Sequence, residues 1–235
     1  MTSKSEWEKL DLRIDPDTEE KLFFTDHEWD TIEAAAARII PTDHDPGARE
    51  ARVIVFIDRY LSGITYHYAT ADGTGFLQLA GDDARAARAR TSEFQRMYRA
   101  GVRDLDAEAV RLGAKDFVSA DHEMQDAVLV AVSGHPKPSR VRLDEHEVFY
   151  SRLQGNTDTG KSFFDTLALH VRQGFYADPV YGGNKDRVGW KVIGFPGPES
   201  LKDTMDGTYT TAPYFVQEYA WEDLLLTYNP PSDDN

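Results

Sequence analysis

"LQGNTDTGKSFFDTL" (residues 153–167) decides between two folds. Gly155, four residues and then Gly160-Lys161-Ser162 spell G-x-x-x-x-G-K-[ST], the pattern of a phosphate-binding loop. Such a loop wraps phosphates with backbone N–H groups and is held between a buried parallel strand and a following helix. Under that reading Gly155–Ser162 binds a nucleotide through Lys161 and Ser162, and the chain is an α/β protein. A helix does follow, since "SFFDTLALHVRQ" places Phe163, Leu167 and Val171 on one face and Gly174 is expected to end it. The segment before it, "DEHEVFYSRL" (144–153), is charged and weakly helical rather than an apolar strand. No apolar strand ending in Asp follows Ser162 to hold a magnesium ion. The context favours helix packed on helix, with nucleotide binding kept as the enzyme-class alternative.

Working outward, the rest of the chain is also helical in pattern. In "FFTDHEWDTIEAAAARII" Thr25 and Glu28 fit a capping box, and Trp29, Ile32, Ala36 and Ile39 share a face. Pro41 stops that helix, and "PTDHDPG" is a turn-rich loop. "AREARVIVFIDRYL" contains a β-branched run, yet Val53, Phe56, Ile57, Tyr60 and Leu61 keep helical spacing, so a buried helix is expected. From Asp82 to about Leu112, apolar residues recur at three- and four-residue steps, with Gly101 as a candidate bend. "SADHEMQDAVLVAV" (119–132) predicts a shorter helix ended by Gly134, and "YFVQEYAWEDLLLTY" (214–228) a last one. The expected architecture is all-α: residues 22–228 form a single compact helical domain with one long ordered aromatic and Gly-rich loop. Residues 1–21 form an acidic N-terminal segment and 229–235 an acidic tail, both read as solvated ends.

Composition narrows the chemistry. The 235 residues carry 41 acidic against 26 basic side chains, a formal net charge of -15. Nucleic acid and anionic lipid are poor partners for such a surface. The absence of cysteine excludes disulfides, a cysteine nucleophile, thiolate-ligated metals and haem attached through C-x-x-C-H. His27-Glu28, His122-Glu123 and His146-Glu147 never extend to H-E-x-x-H, and no G-x-S-x-G elbow is present. "TDHDPG" gathers Asp43, His44 and Asp45, which cannot all point inward from a short loop, so a solvated turn is expected and no metal site. His170, beside an apolar helix face, reads as a hydrogen-bonded packing residue rather than a base. No catalytic residues emerge.

The informative stretch is "GFYADPVYGGNKDRVGWKVIGFPGP" (174–198). A connection of this length in a compact domain is ordered by its own side chains or by a partner. It has Tyr176, Tyr181, Trp190 and Phe195 to bury and glycines at 182, 183, 189 and 194 to turn with. Tyr and Trp are also favoured in interface cores, so a docking surface and a self-packed loop are compatible readings.

With "FFDTLALHVRQ" before it, this stretch resembles the gluconate 2-dehydrogenase subunit 3 family. "FFTDHEWDTIEAAAARIIPTDHDPGAREARVIVFIDRYL" resembles that family's other hallmark, a helix ending in Ile-Ile-Pro, an acidic turn, Pro-Gly-Ala and a helix carrying Phe-Ile-Asp. The resemblance covers roughly residues 22–198 and leaves Gly160-Lys161-Ser162 in a variable lead-in. It implies a helical, non-catalytic accessory subunit that binds a large FAD-dependent sugar or polyol dehydrogenase of the glucose–methanol–choline type and aids its folding, stability or export. The implied partners are that flavoprotein and, in many relatives, a cytochrome or other electron acceptor. The FAD belongs to the partner, and no cofactor is expected in this chain. The matching positions expected at the shared surface are Phe175, Tyr176, Asp178, Pro179, Tyr181, Gly182, Gly183, Asn184, Gly189 and Trp190. Many relatives begin with a twin-arginine export signal where this sequence has an acidic segment. The cytoplasm is the expected location, with export to the periplasm alongside the partner as the alternative. A stand-alone helical binding protein is the remaining reading.

Overall fold

The computed structural model describes residues 8–10, 20–63, 66–69, 76–135, 160–195 and 197. Helix α1 (Asp26–Ile39) starts at the expected capping box: the Thr25 hydroxyl accepts the Glu28 N–H, and the Glu28 carboxylate accepts the Thr25 N–H at 2.9 Å. Its buried side is Trp29, Ile32, Ala35 and Ala36. After Pro41 the chain folds back so that the Ala48 N–H reaches the Ile40 carbonyl at 2.9 Å. Gly47 makes that return passable, because a Cβ there would collide with the backbone of Ile40, Pro41 and Thr42.

Arg52, left-handed at φ 54°, turns the chain into α2 (Val53–Leu61). Val53, Ile54, Val55, Ile57 and Leu61 are all buried, so this helix is apolar almost all round. A β-branched residue costs a helix only about 0.5 kcal/mol, whereas burying its side chain returns about 1.5–3 kcal/mol. Tertiary packing therefore decides the conformation of the run.

Three short strands lie outside the sequence expectation: β1 (Glu8–Leu10), β2 (Tyr66–Ala69) and β3 (Phe76–Gln78). They form a small antiparallel sheet in the order β1-β3-β2, so part of the acidic N-terminal segment is paired backbone rather than a solvated end. The body remains all-helical.

Helix α3 (Gly81–Arg111) runs through Gly101 without interruption. The expected bend is replaced by a packing role, because the Phe163 ring occupies the space a Cβ at Gly101 would need. Helix α4 (His122–Ser133) is capped by Asp121, whose carboxylate accepts the Met124 N–H at 2.8 Å, and ends at left-handed Gly134. Arg38 of α1 grips Asp126 of α4 through two hydrogen bonds of 2.8 and 3.1 Å. Helix α5 (Phe163–Tyr176) packs on α1, α2, α3 and α4. It continues two residues past Gly174, which serves to admit the Phe56 side chain and not to end the helix. The helical segments expected at 144–153 and 214–228 lie outside the described residues.

One buried carboxylate fastens the start of this bundle. Asp58, 1% exposed on α2, accepts the N–H groups of Leu22, Phe23 and Phe24 at 2.7, 3.0 and 2.9 Å. The chain entering α1 is thereby held against α2. Asp58→Asn would face the Leu22 N–H with an amide donor or forfeit the other two bonds. We expect it to destabilise the fold by about 2 kcal/mol in urea denaturation, the range for a charge-assisted bond replaced by an unmatched donor. An unchanged midpoint would remove Asp58 from this role.

A second link is titratable. His27 Nε2 lies 2.7 Å from Asp106 Oδ2, while Asp106 Oδ1 accepts the Phe117 N–H at 3.0 Å. The Asp106 carboxylate holds the His27 pKa above its ordinary 6.5. A raised folded-state value means the stabilisation is whole below about pH 6.5 and is lost as pH rises through the folded pKa. His27→Gln should therefore lower the urea midpoint at about pH 5.5 and converge on the wild type near about pH 9. A difference that grew with pH would contradict the pairing.

Candidate functional site

The segment after α5 is built by side chains that bond to backbone. Ala177 leaves the helix in extended conformation, donating its N–H to the Gln173 carbonyl at 2.7 Å. Asp178 then caps a 3-10 turn (Pro179–Tyr181), its carboxylate accepting the Val180 N–H at 3.0 Å. Burial pushes the Asp178 carboxyl above its ordinary range, opposed by that N–H and by Arg187. Gly182, at φ 99°, turns the chain over the Arg59 and Val55 side chains of α2.

Asn184 is the hub of the segment. It is fully buried and left-handed at φ 49°. Its amide nitrogen donates to the Ala177 carbonyl at 2.8 Å, and its Oδ1 accepts the Gly189 N–H at 2.8 Å. One side chain thus ties the exit from α5 to the start of α6 (Val188–Val192). Between them, Lys185–Arg187 forms a second 3-10 turn, and the Lys185 N–H reaches the Ala51 carbonyl ahead of α2 at 3.0 Å. Two glycines permit backbone to lie on backbone here. A Cβ on Gly183 would overlap the Gly174 carbonyl, and one on Gly189 would overlap the Phe175 carbonyl.

Trp190 finishes the segment. Its indole N–H donates to the Tyr176 carbonyl at 2.8 Å, and Phe195 meets its ring edge-on at 5.3 Å between centroids. Gly197 lies against the indole with no room for a side chain. The expected loop is thus a folded unit of two 3-10 turns and a short helix, ordered by its own contacts.

The ten positions expected at a shared surface divide by exposure. Phe175, Gly182, Gly183, Asn184, Gly189 and Trp190 are buried and shape the segment, whereas Asp178, Pro179 and Tyr181 are half-buried. Tyr176 is 42% exposed. Beside Trp190 and outside that set stand Val192, Ile193 and Phe195, at 38%, 57% and 40% exposure. Four of the seven large apolar residues exposed among the described residues therefore belong to this one segment, which marks a patch and not scatter. Sequence reasoning left out Val192 and Ile193, although "WKVIGF" placed two branched apolar residues at the end of a short helix.

The other candidates lead elsewhere. The Ser162 hydroxyl caps α5, accepting the Asp165 N–H at 3.2 Å and donating to the Asp165 carboxylate at 2.9 Å. Helix α5 packs among helices, and Ser162 serves as its N-cap. Gly155 lies outside the described residues. Asp43, His44 and Asp45 do converge, their ligand atoms within 4.8 Å, but on an exposed turn where His44 spans the two carboxylates at 3.2 and 3.0 Å. His170 is fully buried, its Nδ1 2.8 Å from the Tyr98 hydroxyl and its ring among Tyr60, Phe94 and Tyr98. Enclosed by these rings, it serves as a packing residue.

Asn184 can be tested apart from its strained backbone. Asn184→Gly keeps the left-handed conformation but removes both hydrogen bonds, and Asn184→Ala removes both and adds about 1 kcal/mol of backbone strain. Trypsin should cleave the glycine variant at Lys185, Arg187 or Lys191 at least about tenfold faster than the wild type, which corresponds to about 1.4 kcal/mol of local stability. The alanine variant should be faster still. Equal cleavage rates would show that the bridge does not hold the segment.

Compared with known proteins, the chain matches the family described as gluconate 2-dehydrogenase subunit 3 over residues 26–197. No curated protein and no solved structure matches it. The match spans both the α1–α2 pair and the whole folded segment through Gly197. The chain belongs to the gluconate 2-dehydrogenase subunit 3 family.

Proposed function

We propose that this chain is the non-catalytic accessory subunit of a large FAD-dependent sugar or polyol dehydrogenase, and that it holds the large subunit through the face around Trp190. Family membership supports association with other dehydrogenase subunits. The observation that carries the finer reading is the pairing of a rigid backbone scaffold with exposed Tyr176, Val192, Ile193 and Phe195. A segment locked by Asn184 and by glycine-permitted backbone contacts loses little conformational freedom on docking, so more of its contact energy survives as affinity.

Magnitudes limit what the patch can do alone. Completing the burial of one such side chain yields at most about 1.5–3 kcal/mol, and association costs several kcal/mol before any net gain. A stable interface buries about 800 Å² on each partner. Four partly exposed side chains supply its central anchor, with polar contacts around them. In this reading the FAD, the catalytic base and the substrate pocket reside in the large subunit, and this chain contributes folding and stability.

Co-expression with the flavoprotein large subunit of gluconate 2-dehydrogenase tests the reading. The pair should co-purify with flavin absorbance and oxidise its sugar or polyol, and this chain alone should be colourless and inactive. Ile193→Glu should weaken the complex at least about tenfold, or 1.4 kcal/mol, and leave the melting temperature of the isolated chain unchanged. Turnover by the isolated chain, or no complex with the flavoprotein, would overturn the proposal.

A further inference from the structure

We infer that the face around Trp190 takes a partner surface with an acidic rim; this rests on the accessory-subunit reading and adds the chemistry of what docks. The chain as a whole is strongly acidic, with a formal net charge of -15. The segment carrying the apolar patch reverses that sign. Between residues 171 and 197 stand Arg172, Lys185, Arg187 and Lys191 against Asp178 and Asp186. Asp178 is turned to its own backbone, bonding the Val180 N–H, and is countered by Arg187.

These charges flank the apolar residues along the chain. Arg172 is exposed one helical turn before Tyr176, and Lys191 is exposed between Trp190 and Val192. Arg187 lies one turn before Lys191, across the start of α6. An apolar centre flanked by cations attracts a partner that approaches with carboxylates. Rim charges of this kind raise the association rate and fix orientation more than they add affinity, and their effect fades as salt shortens the Debye length.

The test uses the full chain and the co-expressed flavoprotein subunit, with association followed at low and high ionic strength. Arg172→Glu/Lys191→Glu changes two exposed side chains, and Lys115→Glu on the exposed α3–α4 connection is the control. The expected result is association at least about tenfold slower for the double variant at about 20 mM salt, converging on the wild type near about 0.5 M, with the control unaffected. A complex that forms but is indifferent to salt and to both reversals would overturn the acidic-rim inference and leave the accessory-subunit reading standing. Failure of the wild-type pair to associate at any salt would overturn both. Sedimentation of the isolated chain as a dimer that Ile193→Glu dissociates would assign the face to a second copy instead. Tighter binding after removal of residues 199–235 would assign it to the chain's own C-terminal segment. Either outcome overturns the inference.

Discussion

The folded segment after α5 depends on one buried amide. Asn184 spans the Ala177 carbonyl and the Gly189 N–H, two backbone groups at opposite ends of the excursion from α5 to α6, and satisfies both away from water. Neither would otherwise be paired cheaply, since an unmet buried donor or acceptor costs about 1–3 kcal/mol. The geometry requires a residue that tolerates the left-handed region and carries a donor and an acceptor on one short side chain. Only asparagine meets both conditions readily. Around that bridge the chain passes so close to α5 that Gly183 and Gly189 cannot be replaced by any larger residue without displacing it. The outward positions of Tyr176, Val192, Ile193 and Phe195 follow from this frame.

The helical bundle supplies the platform. Helix α5 ends under the segment, α2 lies beneath Gly182, and Asp58 anchors the entry to α1 on that same α2. The two hallmark blocks of the chain are thus one physical object, with the α1–α2 block forming part of the wall against which the segment is set. This gives the family relationship a structural content. The matched region, residues 26–197, includes helices α1 to α6 and the folded segment after α5.

How much of this could be read from sequence depended on range. Thr25 with Glu28, and Gly134, act within a few residues, so the start of α1 and the end of α4 were legible, whereas the Asp121 cap fell inside the stretch expected to be helical. The period of Val53, Ile57 and Leu61 identified α2 as a helix despite its β-branched run, because a fully buried helix still repeats. Glycine was misleading where its purpose was distant. Gly101 and Gly174 admit Phe163 and Phe56 from other helices, so one made no bend and the other ended nothing. Asp58 and Asn184 were opaque for the same reason, since their partners are set by tertiary approach and not by spacing. The apolar edge at Val192 and Ile193 was present as composition, but which side faced outward required the placement of Trp190. The phosphate-loop pattern shows the converse error, a local match whose serine the fold uses as a helix cap.

The central claim is that residues 175–195 form a docking face already built before any partner arrives. Hydrogen exchange by mass spectrometry, on the isolated chain and on its complex with the flavoprotein subunit, addresses it most directly. The account predicts slow exchange at the Gly189 amide in the isolated chain and added protection of Val192, Ile193 and Phe195 in the complex. Fast exchange throughout 178–193 in the isolated chain would contradict a prebuilt face, and protection that grew elsewhere but not at Val192–Phe195 would place the interface on another surface.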